Sequence, residues 1–493
     1  MLTIKLDRKS NIPLHYQVFL FIKELIEKKT LKPGMRLPST RGLAEKHEIS
    51  RTVVLQAYEE LWGQGYLTSR PGSYTIVRNK IPNVKLNQRS SRGLIDWDNV
   101  SSERSKDVYN GMKEFPQLIS ESESNQYIDM STLCLDQSLF PVEEFKRSLN
   151  AVITSQPEIF NYGSVEGYFP LRKYIASRLQ THGIFCVEPE EILITNGTQS
   201  SIDLILRVLS HPGSIILTES PTYFHALPLM QFYQTRVFPI KMDEEGLNIE
   251  RAVQFLQNNR PAFIYTIPNF HNPSGITMSQ ERRENLLALS ERFNVPIVED
   301  AFEEEMKYFG RVPMSIKSMD KNQVVIYMGS FSKVLFPGVR IGWIAADKMF
   351  IKRAAVIKEV IDLTSNSVMQ AALFNFCSQG NYDLHIRRMH RVYKKRMLKI
   401  LQILKEEITF DQVSWTEPLG GYLVWLKLSD VKMAEVQLHF LLKKHKVLAT
   451  PGSFYVPEKT DDLYIRLSIS HLNEEEISEG VRRLKHALSE VYS

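Results

Sequence analysis

Lys333 stands behind two hydroxyl residues in Ser330-Phe331-Ser332-Lys333 and is followed closely by Pro337, Gly338 and Arg340. An amine held this way can attack a carbonyl carbon, and a guanidinium beside it can clamp an anion as a fork. Other residues with comparable chemistry are spread along the chain. Asn196-Gly197-Thr198-Gln199 follows an apolar run and could offer backbone amides to an anion where a helix opens. Tyr223 could stack on a planar ring, and Asn272 leads the turn Asn272-Pro273-Ser274-Gly275. Asp300 could pair with a cationic ring nitrogen, and Arg466 in Tyr464-Ile465-Arg466-Leu467-Ser468 could bind a carboxylate. Taken singly, each has a plain reading as a turn, a cap, a core tyrosine or a surface loop. Their order on one chain is the informative feature.

The elements that must position these groups are apolar runs alternating with amphipathic helical stretches from Asp129 onward. Ile192 to Thr195, Ser214 to Thr218, Ala262 to Ile267, Pro296 to Glu299, Val324 to Tyr327 and Ile341 to Ala345 read as strands. Strands separated by helices predict an α/β domain with a largely parallel sheet, in which ligands gather at the carboxyl ends of the strands. The candidate residues fall at such ends.

The first 80 residues hold 14 Lys or Arg and 7 Asp or Glu, a net of +7, so the rest of the chain contributes −2 to the total of +5. A basic module on a near-neutral body points to nucleic acid. Val18, Phe21, Ile22, Leu25 and Ile26 recur at helical spacing up to Lys32-Pro33-Gly34. Ser39 is placed to cap a short second helix and Ser50 a third, whose apolar face is Val53, Val54, Ala57, Tyr58 and Leu61. The opposite face carries Arg51, Thr52, Leu55, Gln56 and Glu59, types that suit base edges in a major groove. Two short alternating segments around the turn Arg70-Pro71-Gly72-Ser73 complete the pattern of a winged helix-turn-helix.

Between residues 80 and 126 the chain is polar and lacks periodicity, which predicts a solvated linker with Trp97 as its anchor if any of it docks. The expected organisation is a DNA-binding domain over 1–79, a linker over 80–126 and an effector domain over 127–493. Hydrophobic residues at 43% and charged residues at 24% are those of a globular protein. Three scattered cysteines suit a reducing compartment and give no metal spacing, and no run is long enough to span a bilayer, so a cytoplasmic location is expected.

The stretch Leu31-Lys32-Pro33-Gly34-Met35-Arg36-Leu37-Pro38-Ser39-Thr40-Arg41, with Ser50-Arg51-Thr52-Val53-Val54 and Gly65-Tyr66-Leu67, resembles the DNA-binding domain of GntR-type regulators. The resemblance implies contacts to double-stranded operator DNA by Ser39, Arg41, Ser50, Arg51, Thr52 and Gln56, and by the wing at Arg70 and Gly72. The ordered set from Asn196 to Arg466, with Asn161-Tyr162-Gly163 upstream, resembles fold-type I aminotransferases that use pyridoxal 5'-phosphate. That likeness implies a Schiff-base role for Lys333, a ring-nitrogen partner in Asp300, a ring-hydroxyl partner in Asn272 and a ring cover in Tyr223. It further implies phosphate binding by Gly197, Thr198, Gln199, Ser330, Ser332 and Arg340, and effector binding by Tyr162 and Arg466.

One departure stands out: Ala301-Phe302 follows Asp300 where that family places a tyrosine, which implies blunted transamination with cofactor binding kept. Together the two parts resemble the MocR/GabR group. The expectation is a homodimeric transcriptional regulator that senses an amino compound, the cofactor or both. The alternative is a working aminotransferase with an accessory DNA-binding domain. Effector specificity is expected from residues near Tyr162, Phe224, His225 and Arg466.

Overall fold

The computed structural model describes residues 3–69, 74–79, 95–113, 126–185, 187–311, 313–456, 458, 460 and 462–492. The chain forms two compact units, Met1–Val100 and Ser101–Ser493.

In the small unit, helix Leu14–Glu27 starts directly after Pro13 and buries Val18, Phe19, Ile22 and Ile26. Helix Thr40–His47 is capped by Ser39, whose Oγ accepts from the Gly42 amide, and Arg51–Gly63 by Ser50, whose Oγ accepts from the Val53 amide. Each cap satisfies an amide that the first turn leaves open. The third helix buries Val54, Ala57, Tyr58 and Leu61. The Tyr58 hydroxyl donates to the Pro38 carbonyl at 2.9 Å, tying that helix to the start of the second. Strands Leu67–Ser69 and Thr75–Val77 pair antiparallel, with Leu67 opposite Val77. The expected winged helix-turn-helix is therefore present; the turn containing Arg70 and Gly72 lies outside the described residues.

In the large unit the main sheet has the order Ile192–Thr195, Gly342–Ala345, Val325–Ser330, Ile297–Asp300, Phe263–Thr266, Ile215–Ser220, Arg236–Asp243 and Gly246–Leu247 among the described residues. Gly342–Ala345 and Gly246–Leu247 run antiparallel to their neighbours, and the other pairings are parallel. Ile192–Thr195, Phe263–Thr266 and Ile297–Asp300 are buried throughout, as strands covered by helices on both faces must be. The six runs read as strands all appear, within three residues of the expected bounds.

A second, antiparallel sheet has the order Val413–Trp415, Leu423–Leu428, Leu463–Ser468 and Thr450–Pro451. It brings Arg466, opposite Thr450, to the edge of the first sheet's carboxyl ends. No helix among the described residues is long and apolar enough to cross a membrane.

The stretch expected to be linker contains helix Glu103–Met112, capped by Ser102 and packed on helix Ala226–Phe232. Its anchor is Met112, which packs against the cluster of Phe224, Trp425 and Tyr455. Trp97 is 67% exposed and anchors nothing. Helix Trp97–Val100 buries no residue, so the indole is not packed among the described residues.

Candidate functional site

A cavity of about 400 Å³ opens at the carboxyl ends of the central strands. It is lined by nine of the ten residues expected to hold the cofactor, Thr198, Gln199, Tyr223, Asn272, Asp300, Ser330, Ser332, Lys333 and Arg340, and by Phe224, His225 and Arg466.

One end is built to receive an anion. Helix Thr198–Leu209 begins beneath it, so free amides and the positive end of the helix dipole point the same way. Gly197 precedes the helix at φ 95°, and a Cβ there would come within 3.1 Å of Arg340 Nη2. Glycine lets the backbone turn and the guanidinium approach together. Gly197 does not itself line the cavity. Arg340 Nη2 donates to the Asn196 carbonyl at 2.7 Å, which holds the fork over the helix mouth. Ser330 ends strand Val325–Ser330, and its Oγ accepts from the Ser332 amide at 3.1 Å.

Asp300, the last residue of strand Ile297–Asp300, lines the same cavity. Its Oδ2 accepts from the Tyr265 hydroxyl at 2.8 Å. Burial pushes the carboxyl up to about 7, helped by Glu219 and opposed by Tyr265 and by the Phe302 amide. Asn272 Oδ1 accepts from Arg466 Nη1 at 3.3 Å.

Lys333 Nζ donates to the Leu133 carbonyl at 2.7 Å. Burial lowers its pKa; Arg466 and Arg340 push the same way, while Cys134 and Glu303 oppose them. The amine is thereby shifted toward its nucleophilic neutral form. Arg466 Nη2 donates to the Ser131 carbonyl at 2.5 Å, and its guanidinium lies over the Tyr455 ring at 5.1 Å.

Besides Gln199 Oε1, three polar atoms on more deeply buried residues around this cavity have no hydrogen-bond partner among the described residues: Asp300 Oδ1, Ser332 Oγ and Arg466 Nε. Their residues are 2%, 8% and 7% exposed. Buried polar atoms without partners are costly, so each is a place where a bound group belongs.

Sequence reasoning missed several residues. The segment Asp129 to Cys134 crosses the cavity, its carbonyls receiving both Lys333 and Arg466. The Asp129 carboxylate shapes it by accepting from the Ser131 and Thr132 amides and hydroxyls. An Asp two residues before Ser-Thr was the available signal. Tyr265 gave none, because an aromatic inside a strand reads as core. Glu303, fully buried and pushed up to about 8 by burial, belongs to no motif.

Tyr162 is not brought to the cavity: it is 78% exposed on its own chain. The segment carrying it leads into helix Phe169–Thr181, and the Tyr162 amide donates only locally, to Asn161 Oδ1 at 2.8 Å. In the small unit, Ser39, Arg41, Ser50, Arg51, Thr52 and Gln56 are all exposed, and the Arg41 guanidinium pairs with Glu45 at 3.2 Å.

Two family models match the chain. Aminotransferase class I and II matches residues 124–484, and bacterial regulatory proteins, gntR family, matches residues 14–77. The uncharacterised HTH-type transcriptional regulator YdfD of Bacillus subtilis (strain 168) is 32% identical over 99% of this chain and 98% of its own length. Aromatic-amino-acid aminotransferase 1 of Thermococcus litoralis is 33% identical over 82% of this chain and 98% of its own. The crystal structure of Pyrococcus horikoshii kynurenine aminotransferase, in complex with PMP, superposes with a TM-score of 0.76 at 29% identity, over 80% of this chain and 98% of that one.

The cavity's chemistry fits the pyridoxal phosphate of this fold, with an anion-binding end, a buried carboxylate and an amine in one lining. The enzymes cover about four fifths of the chain, whereas the regulator matches from end to end. The chain belongs to the aminotransferase class I and II family in the form that carries a gntR-family head, and is a MocR-type transcriptional regulator built on a pyridoxal-phosphate-binding fold.

Proposed function

We propose that this regulator binds operator DNA through its N-terminal unit and alters that binding when a small amino compound enters the cavity around Lys333. The observation that carries the reading is the group of partnerless buried atoms, Asp300 Oδ1, Ser332 Oγ and Arg466 Nε, arranged about one amine. Pyridoxal phosphate, when bound, supplies an aldehyde carbon open to amines and a ring that takes up electron density.

The residues would divide that work. Lys333 Nζ would hold the aldehyde end, and Asp300 would keep a proton on the ring nitrogen. Asn272 would orient the ring hydroxyl and Tyr223 would cover the ring. Gly197, Thr198, Gln199, Ser330, Ser332 and Arg340 would hold the phosphate. Arg466 would turn from the Ser131 carbonyl to an incoming carboxylate, and Lys333 would release Leu133 as its amine is displaced. With a phenyl group at Phe302, no phenol is available there to tune the amine's proton, and little transaminase turnover is expected.

The protein is proposed to act as a homodimer in the cytoplasm. Helix Lys348–Asp362 and the residue after it expose Val356, Val360 and Leu363, an apolar band suited to a second copy. Tyr162, exposed on its own chain, would then serve the cavity of the other copy.

The test is retention of DNA from the regulator's own upstream region, measured by fluorescence anisotropy with pyridoxal phosphate and a panel of amines. One amine should shift the affinity by a factor of about 5 or more, as coupling between sites typically does. Lys333→Ala should still bind DNA and lose the shift. Arg51→Ala should weaken binding and, if Arg51 meets a phosphate, lower the salt slope by about 1. Absence of any sequence-specific retention sinks the reading. Turnover of about 1 s⁻¹ or more on any amino donor would favour the enzyme instead.

A further inference from the structure

We infer that the effector is an α-amino acid with one carboxylate and a large, uncharged, apolar side chain, seated against the wall formed by Phe224 and Tyr455. This rests on the reading of the cavity given above and narrows its ligand.

The charges around the cavity are few, and each has a place. Of the described residues that line it, Lys333, Arg340 and Arg466 are cationic and Asp300 is the carboxylate. Arg340 is tied to the helix mouth through the Asn196 carbonyl, at the anion-binding end. Lys333 is the amine. Arg466 has a buried guanidinium nitrogen, Nε, without a partner among the described residues, away from the anion-binding end that Arg340 serves. A second carboxylate, as in an acidic amino acid, would find no further cation in this lining. In this lining a side-chain ammonium would find only Asp300, already assigned to the ring nitrogen, because Glu303 lies behind the lining and burial holds it toward the neutral form.

His225 does not change this count. Burial lowers its pKa, with Lys333 and Arg466 pushing the same way, so its ring is held toward the neutral form. On the Arg466 side the polar lining is already engaged, Thr450 Oγ1 donating to the Ser131 carbonyl and accepting from Arg466 Nη2, and the surface left for a side chain is Leu133, Phe224, Ala449, Pro451 and Tyr455.

That wall is backed rather than loose. Phe224 meets Phe454 edge-on with centroids 5.3 Å apart and Tyr455 at 6.2 Å. Tyr455 in turn packs at 88° against Trp425 with centroids 5.8 Å apart. Phe224 is 7% exposed and Tyr455 2%, so neither can swing into water to make way for a hydrated charge. A charged side chain seated there would lose its hydration without gaining a partner, whereas an apolar one loses only contact with water.

The experiment uses the full-length protein loaded with pyridoxal phosphate. Cofactor absorbance and melting temperature are followed during titration with L-phenylalanine, L-leucine, L-glutamate and L-lysine. L-Phenylalanine or L-leucine should half-saturate the change at a concentration at least about tenfold below the charged pair, the low end of what an apolar pocket discriminates. Phe224→Ala should narrow that gap while keeping the cofactor band. Should that variant fail to hold the cofactor, Phe224→Leu serves in its place, narrowing the preference for phenylalanine over leucine.

A normal cofactor band with glutamate or lysine ranking first overturns the inference alone. So does a gap that both Phe224 variants leave unchanged. Absence of any cofactor band that depends on Lys333 overturns the underlying reading, and the inference with it.

Discussion

Asp300 carries its carboxyl at about 7 because burial favours the neutral form, and a cation placed at Oδ1 would bring it down again. In the cofactor-free protein the raised value sets the sign of the pH dependence. The folded chain holds a proton that the unfolded chain releases near about 4, so the stabilisation is complete below that pH and is lost as pH rises through about 7. Glu304, pushed up to about 7, and Glu303, pushed up to about 8, act in the same sense, burial being the main cause for each. Melting temperatures of the cofactor-free protein should therefore fall between about pH 5 and 8, and Asp300→Asn should flatten that fall, each pKa unit being worth about 1.4 kcal/mol. The same variant should weaken pyridoxal phosphate binding about tenfold or more by absorbance. An unaltered pH slope would show that this carboxyl is ionised throughout. Lys333, Asp300 and Arg466 are legible in the sequence because their types are rare at strand ends and their order is specific. Tyr162 is legible as a type and not as a place, since only the folded path of the chain reveals that it faces outward.

At the scale of elements, periodicity is a good guide where one face is strongly apolar. The strands Ile192–Thr195 and Phe263–Thr266 and the helix Arg51–Gly63 are of this kind. Helix Glu103–Met112 escapes that test because no residue in it is fully buried. Val108 and Met112, one helical turn apart, are half-buried on one side of an otherwise polar segment, and the available signal was the Ser102 cap. Its docking rests chiefly on Met112 against Phe224, Trp425 and Tyr455, two of which line the cavity. Met112→Asp places a charge in that apolar contact, at a cost well above the few tenths of a kcal/mol of an ordinary surface change. Amides of residues 103–112 should then exchange with solvent at least about tenfold faster in hydrogen-exchange measurements, while the amides of strand Ile297–Asp300 keep their protection. Equal exchange in the two proteins would mean that Met112 does not hold this helix.

For the whole molecule, the two units have separate cores: Val18, Ile22, Val54 and Leu61 in one, and the clusters around the main sheet in the other. A ligand that binds one folded unit stabilises it by about 2.7 kcal/mol at a hundredfold excess over its dissociation constant. Pyridoxal phosphate should therefore raise the calorimetric transition of the large unit, and operator DNA that of the small one. A regulator requires more than this, because the two binding events must be linked. If the amine, with pyridoxal phosphate present, changes DNA affinity by some factor, DNA must change amine affinity by the same factor, since both describe one closed cycle. That equality can be measured on the full-length protein by titrating the amine against cofactor absorbance with and without saturating operator. The half-saturation point should move by the ratio found in the anisotropy experiment, about 5 or more. An amine affinity that operator DNA leaves unmoved, beside a DNA affinity that the amine does shift, would break the cycle. The DNA response would then have to come from binding somewhere other than the cavity at Lys333.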